Sequence, residues 1–134
     1  MKKDFMGLME QSTTAFQTVA ETARRLEQAG YERVSEKDVW SIGAGDKKYV
    51  VRNDSSLIAF SIPDVSEEGK EIKGFHMVCA HSDSPCFKIK ENACMKVEDT
   101  YLKLNVENYG GMRKETWFDR PLSVAGRVAI KNEN

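Results

Sequence analysis

Residues 75–85 read FHMVCAHSDSP, and this stretch is the most informative part of the chain. Its first six residues are apolar except for His76, a composition typical of a strand buried in the centre of a sheet. The apolar run stops at His81, and Pro85 favours a turn soon afterwards. The sequence therefore predicts a buried central strand over residues 75–80 that presents His81 at its carboxyl end.

The chemistry available to His81 depends on Asp83, two residues further along. Alternate residues of a strand share a face, so this carboxylate could orient the imidazole as a metal ligand. However, a zinc site needs about three or four protein ligands, and the chain contains only two histidines. Taken alone, the pattern favours a plainer interpretation, in which His81 hydrogen-bonds at a strand end and Asp83 stabilises a turn.

Two further side chains of this segment are candidate ligands. His76 lies on the opposite face of the predicted strand, about 16 Å from His81 at the rise of a strand, so we expect it to be structural. Cys79 shares a face with His81 and could be a second ligand, but a buried inert thiol is the commoner role. Neither residue completes a zinc site.

The N-terminal thirty residues have the periodicity of a helix. Ser12 or Thr13 could cap it, and Gly30 is well placed just after its last turn. A shorter helical turn over residues 5–9 is expected to precede it. Its apolar stripe consists of Phe16, Val19, Ala20, Ala23 and Leu26.

The remaining elements are predicted to be strands. Residues 48–52 and 57–62 form a hairpin around the turn NDSS, while the charged stretch 64–73 is a loop. Further strands are expected at residues 87–90, 101–106 and 122–130. The predicted fold class is therefore α/β, a mixed β-sheet with an N-terminal helix. Because one sheet face would lack covering helices, the pattern indicates part of a fold.

Composition excludes several classes of protein. The 20 basic and 21 acidic residues are well mixed, so we expect no nucleic-acid partner. We expect no membrane partner, since no stretch approaches the roughly 18 apolar residues of a membrane helix, and no signal peptide is recognisable at the N-terminus. The three cysteines lack CxxC spacing, which favours reduced thiols. Together these features predict a cytoplasmic protein.

The segment WFDRP at residues 117–121 is a second unusual cluster. Adjacent residues of a strand face opposite ways, so Asp119 and Arg120 are expected to pair with other residues rather than with each other. The interpretation favoured here is a partly buried ion pair that anchors a loop, because buried charges need partners. The pair Gly110 and Gly111 predicts a turn.

Five segments, taken in order, make a recognisable pattern. They are Gly30-Tyr31, RNDSSLIAF at 52–60, AHSDSPC at 80–86, VENYGG at 106–111 and TWFDRPLSVAGRV at 116–128. Together they resemble the N-terminal part of M18-family metalloaminopeptidases, the aspartyl aminopeptidase group. One departure is the segment STTAFQ at 12–17, which lacks the proline and histidine usual in that family.

The resemblance implies an exopeptidase that removes N-terminal residues of peptides, often acidic ones, with two zinc ions in an α/β/α catalytic domain. By the same resemblance His81 is a zinc ligand and Asp83 the catalytic-site acid that orients it. The other ligands and the general base would lie beyond Asn134. Full-length members of the family assemble, so a homo-oligomer is expected of the full-length protein.

Residues 1–134 are therefore expected to be the N-terminal part of a catalytic domain, ending before the family's dimerisation insertion. Such a fragment should be inactive alone, because one ligand cannot hold a catalytic metal pair. The alternative is a non-catalytic binding module that retains the sheet of this fold and binds a partner through it.

Overall fold

The computed structural model describes residues 2–64 and 74–131. The chain divides into two compact units, the first made of Met1–Asp83 and Ala125–Asn134, the second of Ser84–Val124. Most of the loop predicted at 64–73 lies outside the described residues. The secondary structure is mixed α and β, which confirms the predicted class.

Two helices, α1 (Lys2–Gln11) and α2 (Ala15–Gln28), open the first unit. The cap of α2 is Thr14, whose hydroxyl accepts from the Phe16 amide, so the prediction of Ser12 or Thr13 as cap was wrong. The reason is that α1 runs on to Gln11, leaving only three residues for the break between the helices. Gly30 follows the C-cap with a φ of 83°, as predicted, and its amide donates to the Glu27 carbonyl.

A three-stranded mixed sheet follows, with strands in the order β1 (Glu32–Arg33), β2 (Lys47–Arg52) and β3 (Ser56–Ser61). Strands β1 and β2 are parallel, and β2 pairs with β3 in the predicted antiparallel hairpin. Helix α2 lies against this sheet. The buried apolar residues of the described chain are Val19 from α2 and Tyr49 and Val50 from β2, which places the core between helix and sheet.

The second unit is built on an antiparallel ribbon of β4 (Cys86–Val97) and β5 (Tyr101–Tyr109), with an irregularity between Ile89 and Cys94. Both predicted strands are present, and both are longer than expected. A short 3₁₀ helix, Lys114–Trp117, follows, and the Trp117 ring meets the Phe87 ring edge-on at 5.3 Å. Gly110 turns the chain with a φ of 74°, as predicted.

Two predicted strands are wrong. Residues 75–80 and 122–130 have no regular structure, and their apolar side chains are exposed, Val78 by 98% and Ile130 by 81%. A buried strand needs paired neighbours and layers on both faces. Among the described residues nothing pairs with either segment, and so the mixed sheet has three strands.

The predicted ion pair in the second unit is also wrong. Asp119 and Arg120 are both exposed, and within the described ranges neither takes part in an ion pair. A charge that stays in water needs no partner. The described aromatic contact next to this loop is that of Trp117 with the Phe87 ring.

Glu21 makes part of the stability of the helices depend on pH. Its carboxylate accepts from Arg24 at 2.7 Å and from Arg25 at 2.8 Å, and Arg25 also binds Asp4 of α1. The hydrogen bonds from Arg24 and then Arg25 lower the pKa of Glu21 from 4.5 to about 2. Because the folded pKa is depressed, this contribution is present above pH 4.5 and is lost as the pH falls towards 2.

We therefore expect the helical circular dichroism signal of Glu21→Gln to decrease less than that of the wild type between pH 5 and pH 2 at low salt. Glu10→Gln is the matched control, since Glu10 is an exposed residue of α1 that forms no ion pair among the described residues. Identical acid titrations for Glu21→Gln and the wild type would contradict the prediction.

Candidate metal centre

His81 lies in an irregular segment of the first unit rather than at a strand end. Its side chain is 91% exposed, and Nδ1 lies 3.0 Å from Oδ1 of Asp83. A carboxylate can only accept a hydrogen bond, so this contact places a proton on Nδ1 and the lone pair of the neutral ring on Nε2. The structure thus brings together the two residues that the sequence singled out, in a geometry that leaves Nε2 open as a ligand atom.

Ser82 attaches this segment to the hairpin of the first sheet. Its hydroxyl donates to the Ser55 carbonyl at 2.8 Å, and the side chain is partly buried although its neighbour His81 is exposed. Ser55 ends the β2–β3 turn, which the sequence had predicted from its NDSS composition. The two residues in contact are 27 positions apart in the sequence, so no local sequence pattern predicts this hydrogen bond.

Arg127 holds the other side of the same turn. Its guanidinium donates to the Asn53 carbonyl at 3.2 Å, lies 3.5 Å from the Asp54 carboxylate, and covers the Phe16 ring at 4.4 Å. The turn is therefore contacted by a distant segment of the chain in addition to the His81 segment. Sequence reasoning missed Arg127, because an arginine in an apolar run carries no signal of where it binds.

A complete zinc site does not form within the residues that the structure describes. No group of three or more His, Cys, Asp or Glu side chains is close enough to hold a metal ion there. Cys79 is exposed and free, so its prediction as a buried thiol was wrong, and the strand face that it was to share with His81 is absent. His76 is also exposed. His81 therefore fits zinc as one ligand, oriented by a carboxylate, and the described residues bring together no group of three ligands.

The other two cysteines, Cys86 and Cys94, are free as well, in agreement with the reduced thiols expected from the sequence.

Among the described residues no helix has the length and apolar character needed to cross a membrane.

A groove of about 650 Å³ lies elsewhere in the first unit. It is lined by residues 33–42 together with Lys48 and Val51, and His81 is not among them. Its charged lining is mixed in sign, and it holds neither histidine. Because its lining contains no histidine, we do not assign metal chemistry to this groove. The His81 imidazole and the Asp83 carboxylate remain the candidate centre.

Comparison with known proteins identifies the family of this chain. The family model described as aminopeptidase I zinc metalloprotease (M18) matches residues 8–134. A Clostridium novyi protein named "Probable M18 family aminopeptidase 2" is 41% identical over 133 residues, covering 98% of this chain and 30% of that protein. A Ricinus communis protein named "Probable aspartyl aminopeptidase" is 40% identical, covering 97% of this chain and 26% of that protein.

The fold has relatives among solved structures. The S. cerevisiae mApe1 dodecamer aligns with a TM-score of 0.73 and 26% identity, covering 88% of this chain and 27% of the yeast chain. The chain thus spans about a third or less of the length of these relatives. Since the family model matches nearly every residue, the chain belongs to the M18 family of zinc metalloproteases, the aminopeptidase I family.

Proposed function

We propose that this chain provides the N-terminal part of the catalytic domain of a zinc aminopeptidase that removes N-terminal residues, preferentially acidic ones, from peptides. The observation that carries the proposal is the His81 imidazole, exposed and oriented by Asp83 at 3.0 Å. Family membership supports the reaction, and the name of the Ricinus relative supports the acidic preference.

In this proposal His81 contributes Nε2 to zinc, and Asp83 keeps the proton on Nδ1. A hydrogen-bonded carboxylate of this kind fixes the orientation of the ring and makes it a better donor to the metal. Zinc, when bound, lowers the pKa of a water molecule and polarises the scissile carbonyl. The role of this chain is to place one ligand atom, its ring oriented by Asp83, beside the β2–β3 turn of the first unit.

The remaining ligands of two zinc ions and the general base are proposed to come from residues that follow Asn134 in a longer protein. Zinc in enzymes takes about three protein ligands, more than the described residues bring together. The longer protein is also proposed to be a homo-oligomer, as the dodecameric yeast relative is. A cytoplasmic location remains part of the proposal.

The decisive experiment is to sequence the reading frame beyond Asn134, express the whole product and assay it with zinc. We expect hydrolysis of N-terminal aspartyl and glutamyl p-nitroanilides that exceeds hydrolysis of the leucyl compound and disappears with a chelator. Equal rates on all three would overturn the acidic preference, and activity that survives chelation would overturn the zinc mechanism.

The 134-residue chain by itself is expected to show no zinc-dependent release of p-nitroaniline from aspartyl p-nitroanilide, because a single ligand does not retain a catalytic ion. The assay compares the wild type with His81→Ala, with and without added zinc. Hydrolysis that requires both zinc and His81 would contradict this prediction.

A second candidate function, a non-catalytic binding module, is favoured by one observation. Phe75, Met77 and Val78 lie within four consecutive positions and are between 83% and 98% exposed, and exposed apolar runs often mark interaction surfaces. Such a module should self-associate as its concentration rises. A single monomeric peak in gel filtration at high concentration would count against it.

A further inference from the structure

We infer that Ser82 is a positioning residue for His81, holding the ligand segment on the β2–β3 turn through its hydroxyl. The inference rests on the proposed role of His81 as a zinc ligand. It adds a residue that the metal chemistry itself does not touch.

The segment that leads to His81 has no regular secondary structure. Residues 74–81 have no helix or strand structure, so no ladder of backbone hydrogen bonds determines where the imidazole lies. Asp83 orients the ring from a position two residues along the same segment. Ser82 is different, because its 2.8 Å hydrogen bond reaches a residue 27 positions away.

The acceptor of that bond belongs to a well-determined turn. Asn53 and Asp54 both have positive φ, 50° and 55°, and the Ser55 amide donates to the Arg52 carbonyl at 3.2 Å. These features are those of the tight turns that join twisted antiparallel strands. The Ser55 carbonyl is therefore fixed by the hairpin itself. The Ser82 hydroxyl, which donates to this carbonyl, is held in place by it.

Arg127 binds the same turn. Its contacts with Asn53, Asp54 and Phe16 tie the turn to helix α2 as well as to the two strands. The Ser82 hydroxyl thus binds a turn that is connected to the core of the first unit. A metal ligand must be held within about 0.5 Å of its productive position, and the Ser82 hydrogen bond supplies such support for the exposed His81.

The first test uses NMR on the metal-free 134-residue chain. We expect nuclear Overhauser contacts between residues 81–83 and residues 54–56 in the wild type. Ser82→Ala should lose them, and Ser82→Thr, which restores the hydroxyl, should recover them. Ser84→Ala is the matched control, since Ser84 is exposed and forms no hydrogen bond within the described ranges. Contacts that persist unchanged in Ser82→Ala, or that are absent from the wild type, would overturn the inference.

The second test adds Cu²⁺ alone as a paramagnetic probe of the His81 ligand atom. Bound copper should broaden the amide signals of residues 53–56 in the wild type and in Ser82→Thr. In Ser82→Ala the broadening should be weaker, and the affinity for copper should be about tenfold lower. Equal broadening and equal affinity in the wild type and Ser82→Ala would overturn the positioning role. A different result is that His81→Ala binds copper as tightly as the wild type while the nuclear Overhauser contacts between residues 81–83 and 54–56 depend on Ser82 as expected. That result would uphold the anchoring by Ser82 and overturn the proposed role of His81 as a zinc ligand.

Discussion

Replacing His81 with alanine in the longer protein proposed above should lower kcat/KM on an aspartyl p-nitroanilide by more than about 100-fold. Loss of an outer partner of a metal ligand costs roughly 10–100-fold in affinity or activity, and loss of the ligand itself costs more. The variant should also bind less zinc per protomer, measured by atomic absorption after dialysis. Wild-type activity and zinc content in His81→Ala would contradict the assignment.

Two further variants test the orientation of His81 and the specificity of the effect. They are Asp83→Asn and His76→Ala. Asp83→Asn retains the ligand but weakens its orientation at the 3.0 Å contact, so the expected loss of zinc affinity is about 10–100-fold. His76→Ala removes the other histidine of the chain, which is exposed and outside the candidate centre. We expect it to retain wild-type activity.

Replacing Tyr49 with alanine should lower the free energy of unfolding by about 3–5 kcal/mol. Tyr49 is 1% exposed and is the one fully buried large side chain of the described residues. Such a loss is a large share of the roughly 5–15 kcal/mol that stabilises a typical domain. Urea unfolding followed by circular dichroism measures it, and an unchanged midpoint would contradict the central position of Tyr49 in the core.

Tyr49→Phe is the matched control, since it retains the ring and removes only the hydroxyl. That hydroxyl donates to Glu27 of α2 at 2.5 Å, and its loss should cost about 1 kcal/mol. Burial, followed by the hydrogen bond to Glu27, raises the pKa of Tyr49 above 10.0. Its contribution to stability is therefore complete below pH 10 and declines at higher pH. Tyr49→Phe should lack this alkaline decline.

Local patterns in the sequence were sufficient for several elements. The period of α2, the glycine after it and the NDSS turn each depend on residues within a few positions of one another, and all three are present. The ribbon of β4 and β5 was predicted in part, because the alternation of residues 101–106 is a local signal. His81 and Asp83 were recognisable for the same reason, since an acid two residues from a histidine is within its reach.

The apolar runs at 75–80 and 122–130 show where such reasoning fails. Apolar composition indicates that a segment prefers to be buried, but burial in a sheet requires paired strands, and none of the described strands pairs with either run. A strand is completed by neighbours that are distant in sequence. The same limit explains why Asp119 and Arg120 form no ion pair with any described residue, since a charge needs a partner only where the surrounding structure removes it from water.

The sequence by itself determined the helices, the hairpin, the histidine–carboxylate pair and the family, because each depends on short spacings or on segments in a recognisable order. Only the tertiary structure decided that Ser82 binds the Ser55 carbonyl and that Arg127 contacts the same turn from 74 positions away. Those contacts arise when the chain folds back on itself. A hydroxyl or guanidinium forms the same kinds of bonds anywhere, so its residue type cannot specify which distant carbonyl it meets.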